Sequence, residues 1–257
     1  MKQILFVFFI TLLFINCKKQ INVDLKNAPS QIVIEGIVSN AVSAEVNISK
    51  SVPFSSDNVF PKVSGATVTI TDNLGVRYEL NETQPGFYTN KNLVGIPGHT
   101  YNLNVNIDGK IYEARSQMPQ QVNLDTLLFE KIFFGSKSIW IVKPQYLDPP
   151  GFGNYYKFIE TINGTRFPAV WIWDDRFTNN DISTRPLIQN DSTININDTI
   201  EVEMQCIDKN IFRYFTALQD VQHNSTTPAN PDSNISGGAL GYFSAQTSQR
   251  KKAVVQE

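Results

Sequence analysis

Two histidines, His99 and His223, are the only imidazoles in the chain, and they lie far apart in sequence. A metal site or an imidazole-based acid–base pair needs a second donor at short, regular spacing, and neither histidine has one. No Gly-x-Ser-x-Gly, His-Glu-x-x-His or Walker sequence is present. The residues closest to a constellation are Trp171-Ile172-Trp173-Asp174-Asp175-Arg176-Phe177. On a strand, residues two apart share a face, so Trp171 and Trp173 stand side by side. Indoles stacked beside Asp174, Asp175 and Arg176 are suited to hold a sugar or a peptide. The same indoles read first as sealing the sandwich core against the helix. Carboxylates adjacent in sequence need not be paired in space, and Asp174-Asp175 reads first as a turn or as an ion-pair partner of Arg176. The expectation is a chain with no catalytic residue, no metal and no cofactor, hence not an enzyme. Its possible binding surface is Trp171, Trp173, Asp174, Asp175, Arg176 and Phe177.

One residue does invite covalent chemistry. Lys2 supplies a short positive segment, and Ile4 to Ile15 is apolar except for Thr11. Twelve helical residues span about 18 Å, well short of a bilayer core of about 30 Å. Such a run at an N-terminus reads as an export signal. Cys17, directly after it, fits the acceptor of a lipid, with cleavage leaving residues 1–16 behind. An ordinary secretory signal with a chance cysteine is the alternative. The polar stretch that follows, residues 17–30, reads as a tether between lipid and body. Cys206 is then left without an intramolecular partner, so no disulfide supports the fold.

The elements that must position any site are mostly strands. Hydrophobic residues make up 41% and charged residues 18% of 257, enough apolar material for real cores and too little charge for disorder. The net charge is −2, and losing Lys2 with the signal takes it to −3, which argues against nucleic acid as a partner. Period-two alternation marks Ile32–Val38, Ala44–Ser49, Ala66–Thr71 and Tyr101–Ile107 as half-buried strands. Asp108-Gly109 and Asn163-Gly164 are hairpin turns, because both turn positions want positive φ. The first half, residues 31–119, therefore reads as an immunoglobulin-like or prealbumin-like sandwich. Its stretch Val63–Asp72, with Gly86-Phe87-Tyr88 and Gly98-His99-Thr100-Tyr101 after it, resembles carboxypeptidase-regulatory-like modules.

Residues 120–257 read as a second β-rich domain. Thr199–Ile207 alternates Ile200, Val202, Met204 and Cys206 against Glu201, Glu203 and Gln205. The period then switches: Ile211, Phe212, Phe215, Leu218 and Val221 fall on helical spacing behind Asp208 as N-cap, predicting one amphipathic helix over 209–222. Asn224–Ser236 is a Pro-rich loop, and the segments Gly237–Gln246 and Lys252–Gln256 close the array as two strands.

Several stretches together carry a family likeness: Ile21–Pro29, Val33-Ile34-Glu35-Gly36, Asn154-Tyr155-Tyr156, Asp174–Phe177 and, most specific, Pro228–Phe243. On these the chain resembles the lipoproteins of domain of unknown function 4249 over nearly all of its mature length. The resemblance implies an outer-membrane lipoprotein of Bacteroidota, facing the cell surface or the periplasm, and often encoded beside a TonB-dependent receptor. It implies no known reaction or ligand. It makes an accessory or ligand-capture subunit of a nutrient-uptake system the first functional expectation, with an envelope or adhesion scaffold as the rival. In that lineage Asp125-Thr126-Leu127, Asp191-Ser192-Thr193 and Asp198-Thr199-Ile200 look like O-glycosylation acceptors at Thr126, Ser192 and Thr199.

Overall fold

The computed structural model describes residues 29–53, 59–135, 137–188, 194–223 and 230–256. Cys17 with the signal, Ser192, and residues 224–229 of the Pro-rich loop lie outside them.

The chain is mainly β. Its first seven strands are β1 (Ile32–Ser39), β2 (Ala44–Lys50), β3 (Thr67–Asp72), β4 (Arg77–Gln84), β5 (Phe87–Asn90), β6 (Thr100–Ile107) and β7 (Lys110–Gln117). They are followed by β8 (Thr126–Phe134), β9 (Lys137–Leu147), β10 (Tyr155–Ile162), β11 (Thr165–Asp174), β12 (Ile182–Ser183) and β13 (Thr199–Ile207). One helix, α1 (Lys209–His223), and a long last strand, β14 (Leu240–Val254), complete the described residues. Eleven strands form one hydrogen-bonded array in the order β11-β10-β13-β14-β1-β2-β5-β4-β3-β6-β7, and β12-β9-β8 make a second, smaller sheet.

The array encloses two cores. In the first, Ile34, Val46, Ile48, Val68, Ile70, Leu103 and Val105 are the inward halves of the alternating strands. The array curls so that β6 and β7 come over β1 and β14, and Ser116 Oγ accepts from Ala245 N at 2.8 Å across the join. In the second, β8 and β9 lie over β10, β11 and β13, with Val142 and Tyr146 meeting Tyr156, Phe158, Trp173 and Met204. Cys206 is buried here as a small apolar side chain. The turns behave as their residues require: φ is +50° and +85° at Asp108-Gly109, and +50° and +81° at Asn163-Gly164.

The two expected closing strands are instead the single strand β14. Leu240–Gln246 pairs parallel with β1, and Thr247–Val254 pairs antiparallel with β13. One strand thus serves both cores, giving Phe243 and Ala245 to the first and Ala253 to the second. The β1–β14 junction is close-packed to the point of demanding glycine. A Cβ on Gly241, whose φ is +94°, would sit 2.0 Å from the Ile34 carbonyl oxygen, and one on Gly36 would sit 2.8 Å from the Phe243 ring. Two stretches that carry the family likeness, around Gly36 and around Gly241-Tyr242-Phe243, are therefore partners in space.

Helix α1 lies on the outer face of the second half. Asp208 Oδ1 accepts from Asn210 N and Ile211 N, while its Oδ2 takes the Ser116 hydroxyl at 2.5 Å, so the cap also ties the helix to β7. Ile211 and Phe215 pack with Phe212, Tyr214 and Leu218 onto Ile207, Val170, Ile172 and Tyr242. The aromatic stripe of the helix is core.

Candidate functional site

Strand alternation decides where the expected binding residues go. On β11, Trp171 and Trp173 share a face as expected, and that face is the second core. Trp173 packs tilted against Phe158, 4.4 Å between ring centroids, and Trp171 Nε1 donates to the Ile188 carbonyl at 3.3 Å. The helix packs on the opposite face of the same strand, through Val170 and Ile172. The tryptophans therefore face the interior away from the helix, and the half-buried Trp171 stacks on Phe167 with 5.9 Å between ring centroids. Asp174 pairs with Arg176 at 2.7 Å on the surface. Asp175, in contrast, is buried, and its Oδ2 accepts from Gly153 N at 2.7 Å, from Asn154 N at 2.9 Å and from Asn154 Nδ2 at 3.2 Å. The six residues do not form one surface.

What Asp175 does is stitch two loops together. The loop Asp148–Asn154 and the turn Asp175–Asp181 are joined by these three bonds and by Asp148 N donating to the Asp181 carbonyl. At their root Leu147 and Ile182 are cross-strand neighbours in β9 and β12. Held on this pair of loops are side chains that the other described residues leave uncovered: Phe177 is 84% exposed and Phe152 76%, with Leu147 and Ile182 exposed beside them. Below the loops, Tyr156 donates to the buried Asp148 carboxylate, whose pKa burial raises while the tyrosine bond opposes the rise.

These loops border a cleft of about 1020 Å³ that runs between the two cores. Its walls are the connector Gln117–Asn123, the loop residues Leu147, Pro149, Pro150 and Gly153, and the start of α1 at Asp208 and Lys209. The volume suits a drug-sized or disaccharide-sized ligand. Of its two lining carboxylates, the half-buried Asp208 is already engaged by the helix cap and Ser116, and Asp125 is exposed. Among the described residues no three His, Cys, Asp or Glu side chains gather where they could hold a metal ion. His99 stands in the turn next to the cleft-lining Gly98, its ring 6.4 Å from that of Tyr101. No described helix is long and apolar enough to cross a membrane, which says nothing about lipid attachment.

The family model for the domain of unknown function DUF4249 matches residues 18–252. The chain belongs to that family. The match takes in all described strands up to Lys252 in β14, so most of the shared strand β14 lies within the matched domain. A search of curated proteins finds no match. Among solved structures the DUF4249 chain is similar to one titled "Cytokine receptor complex - Crystal form 1A", with TM-score 0.27 and 7% identity, covering 85% of this chain and 94% of that one.

Of the expected glycan acceptors, Thr126 opens β8 and Thr199 opens β13, where Asn163 Oδ1 accepts from its backbone N–H at 2.9 Å. Phe152 and Lys157 are not among the residues expected from the sequence. A glycine-flanked Phe in a Pro-Pro-Gly-Phe-Gly loop was the available signal for the first. The signal for the second was a lysine placed between Tyr156 and Phe158 in mid-strand.

Proposed function

We propose that this protein is a non-catalytic outer-membrane lipoprotein, anchored through Cys17, that acts as an accessory or ligand-capture subunit of a TonB-dependent nutrient-uptake system. The membrane, the lineage and the receptor come from the family likeness. The observation that carries a binding role is the apolar loop pair at the mouth of the interlobe cleft. Exposed aromatics on loops held rigid by a buried carboxylate have the composition of an interface hot spot and cost little ordering on binding. The cleft beneath is large enough for a short peptide or an oligosaccharide fragment. A protein with this architecture acts by holding things: loops for the receptor, cleft for the cargo.

Affinity purification of the native protein from detergent-solubilised membranes tests the reading. A large β-barrel receptor should accompany the wild type and be lost from a Phe152→Ser/Phe177→Ser variant that melts like the wild type. Recovery of the lipoprotein alone, under conditions that keep other receptor complexes intact, would overturn it and leave the envelope scaffold ahead.

A further inference from the structure

Helix α1 covers only part of the outer face of the large array. Beside it lies a recess of about 480 Å³ that shares no lining residue with the interlobe cleft. Its floor is made of cross-strand rungs. Lys157, Gln205 and Ser248 are successive neighbours across β10, β13 and β14, and Ile159, Glu203 and Arg250 form the next rung. Arg166 on β11 and Glu45 on β2 stand at opposite sides.

The charges of this recess do not close among themselves. Glu203 is engaged: Oε2 takes Arg250 at 2.9 Å, and Oε1 accepts from Gln205 Nε2 at 2.5 Å and from Ser248 Oγ at 2.8 Å. Those donors outweigh burial, which alone would raise it, and hold Glu203 below the ordinary carboxylate range. Arg250 is thereby used. Lys157 and Arg166 remain, and neither forms an ion pair among the described residues. Lys157 is only 4% exposed, and what its ammonium faces is the ring of Phe215, 4.2 Å from the centroid. Arg166 is near enough for its like charge to oppose that of Lys157. An ammonium brings three donors, and burying it without an acceptor is costly. A second group also lacks a partner: Gln205 Oε1 is buried with no donor among the described residues. A buried cation, an exposed one at the rim and a waiting acceptor line one concave space, with the Glu45 carboxyl at its far side.

We propose that this recess binds a small hydroxylated carboxylate of monosaccharide size, its carboxylate between Lys157 and Arg166 and a hydroxyl donating to Gln205 Oε1. A carboxylate supplies the acceptors that Lys157 lacks and relieves the repulsion between the two cations. The hydroxyl satisfies the amide oxygen. Glu45, whose carboxyl burial raises, faces the same space and accepts from further hydroxyls. The volume falls at the small end of ligand pockets. This site is additional to the cargo cleft and does not depend on a receptor.

Isothermal titration and thermal-shift measurements on the purified mature protein at neutral pH test it with D-glucuronate, D-glucose and sulfate. Glucuronate should bind saturably in the millimolar range or tighter, with glucose and sulfate at least about tenfold weaker. Lys157→Met should abolish binding and Arg166→Gln should weaken it by about tenfold or more. Each variant's melting curve establishes that it is folded. No saturable glucuronate binding to the wild type would overturn the proposal. So would equal binding of glucose or sulfate, or unchanged binding by a folded Lys157→Met protein.

Discussion

Replacing Lys157 with Met should stabilise the unliganded protein at neutral pH, and the gain should disappear in alkali. Burial pulls the Lys157 ammonium down to about 8 from an ordinary value of 10.5; the nearby Glu203 charge pulls the other way and Arg166 adds to the fall. The folded state therefore binds this proton less tightly than the unfolded chain does. Below pH 8 the whole cost is present. It is relieved as pH rises from 8 towards 10.5, because there the unfolded state holds the extra proton. The shift corresponds to about 3 kcal/mol at pH 7. Methionine keeps the unbranched stem against Phe215 and carries no charge, but it forfeits the cation–ring contact, worth roughly 0.5–2 kcal/mol. The net expectation is a gain of roughly 1–3 kcal/mol at pH 7, or several degrees in Tm for a chain of this size. Urea melts followed by tryptophan fluorescence between pH 6.5 and 10.5 read it directly, since other titrating groups cancel between the two proteins. A Lys157→Met protein less stable than wild type at pH 7, or a difference independent of pH, would refute the argument. A buried charge that costs more than its contacts with Phe215 and Glu203 return is the expected signature of a binding residue.

Two further expectations follow from the loops and the N-terminus. Asp175→Ala strands the Gly153 and Asn154 amides, so it should cost about 1–3 kcal/mol in a denaturant melt. It should also open the Asp148–Asn154 loop to protease, and an unchanged digestion pattern would show that Asp175 is not what holds it. Cys17→Ala should release the protein into the soluble fraction in detergent-free buffer, and a variant that still pellets with the outer membrane would rule out the lipid as anchor.

Much of the scaffold was legible from local pattern. Alternation fixes a strand's two faces without reference to its partner, and Ile34, Val46, Val68 and Leu103 all lie on the buried face of their strands. Turn chemistry is equally local: Asp108-Gly109 and Asn163-Gly164 adopt the positive φ angles those residues tolerate. The helix needed only its period and its Asp208 cap, and it runs one residue past the expected end. Tertiary structure decided everything that depends on which element lies opposite. Period two says that Trp171 and Trp173 share a face. It does not say that this face meets Phe158 while the helix takes Val170 and Ile172. Nothing near Leu240–Val254 in the sequence announces a parallel partner some two hundred residues earlier, because loop closure leaves no local trace; only the tight approach at Gly36 and Gly241 records it. Lys157 looks like any strand lysine until β13, β14 and Phe215 close around it. Its burial, and so its chemistry, belongs to the assembled fold.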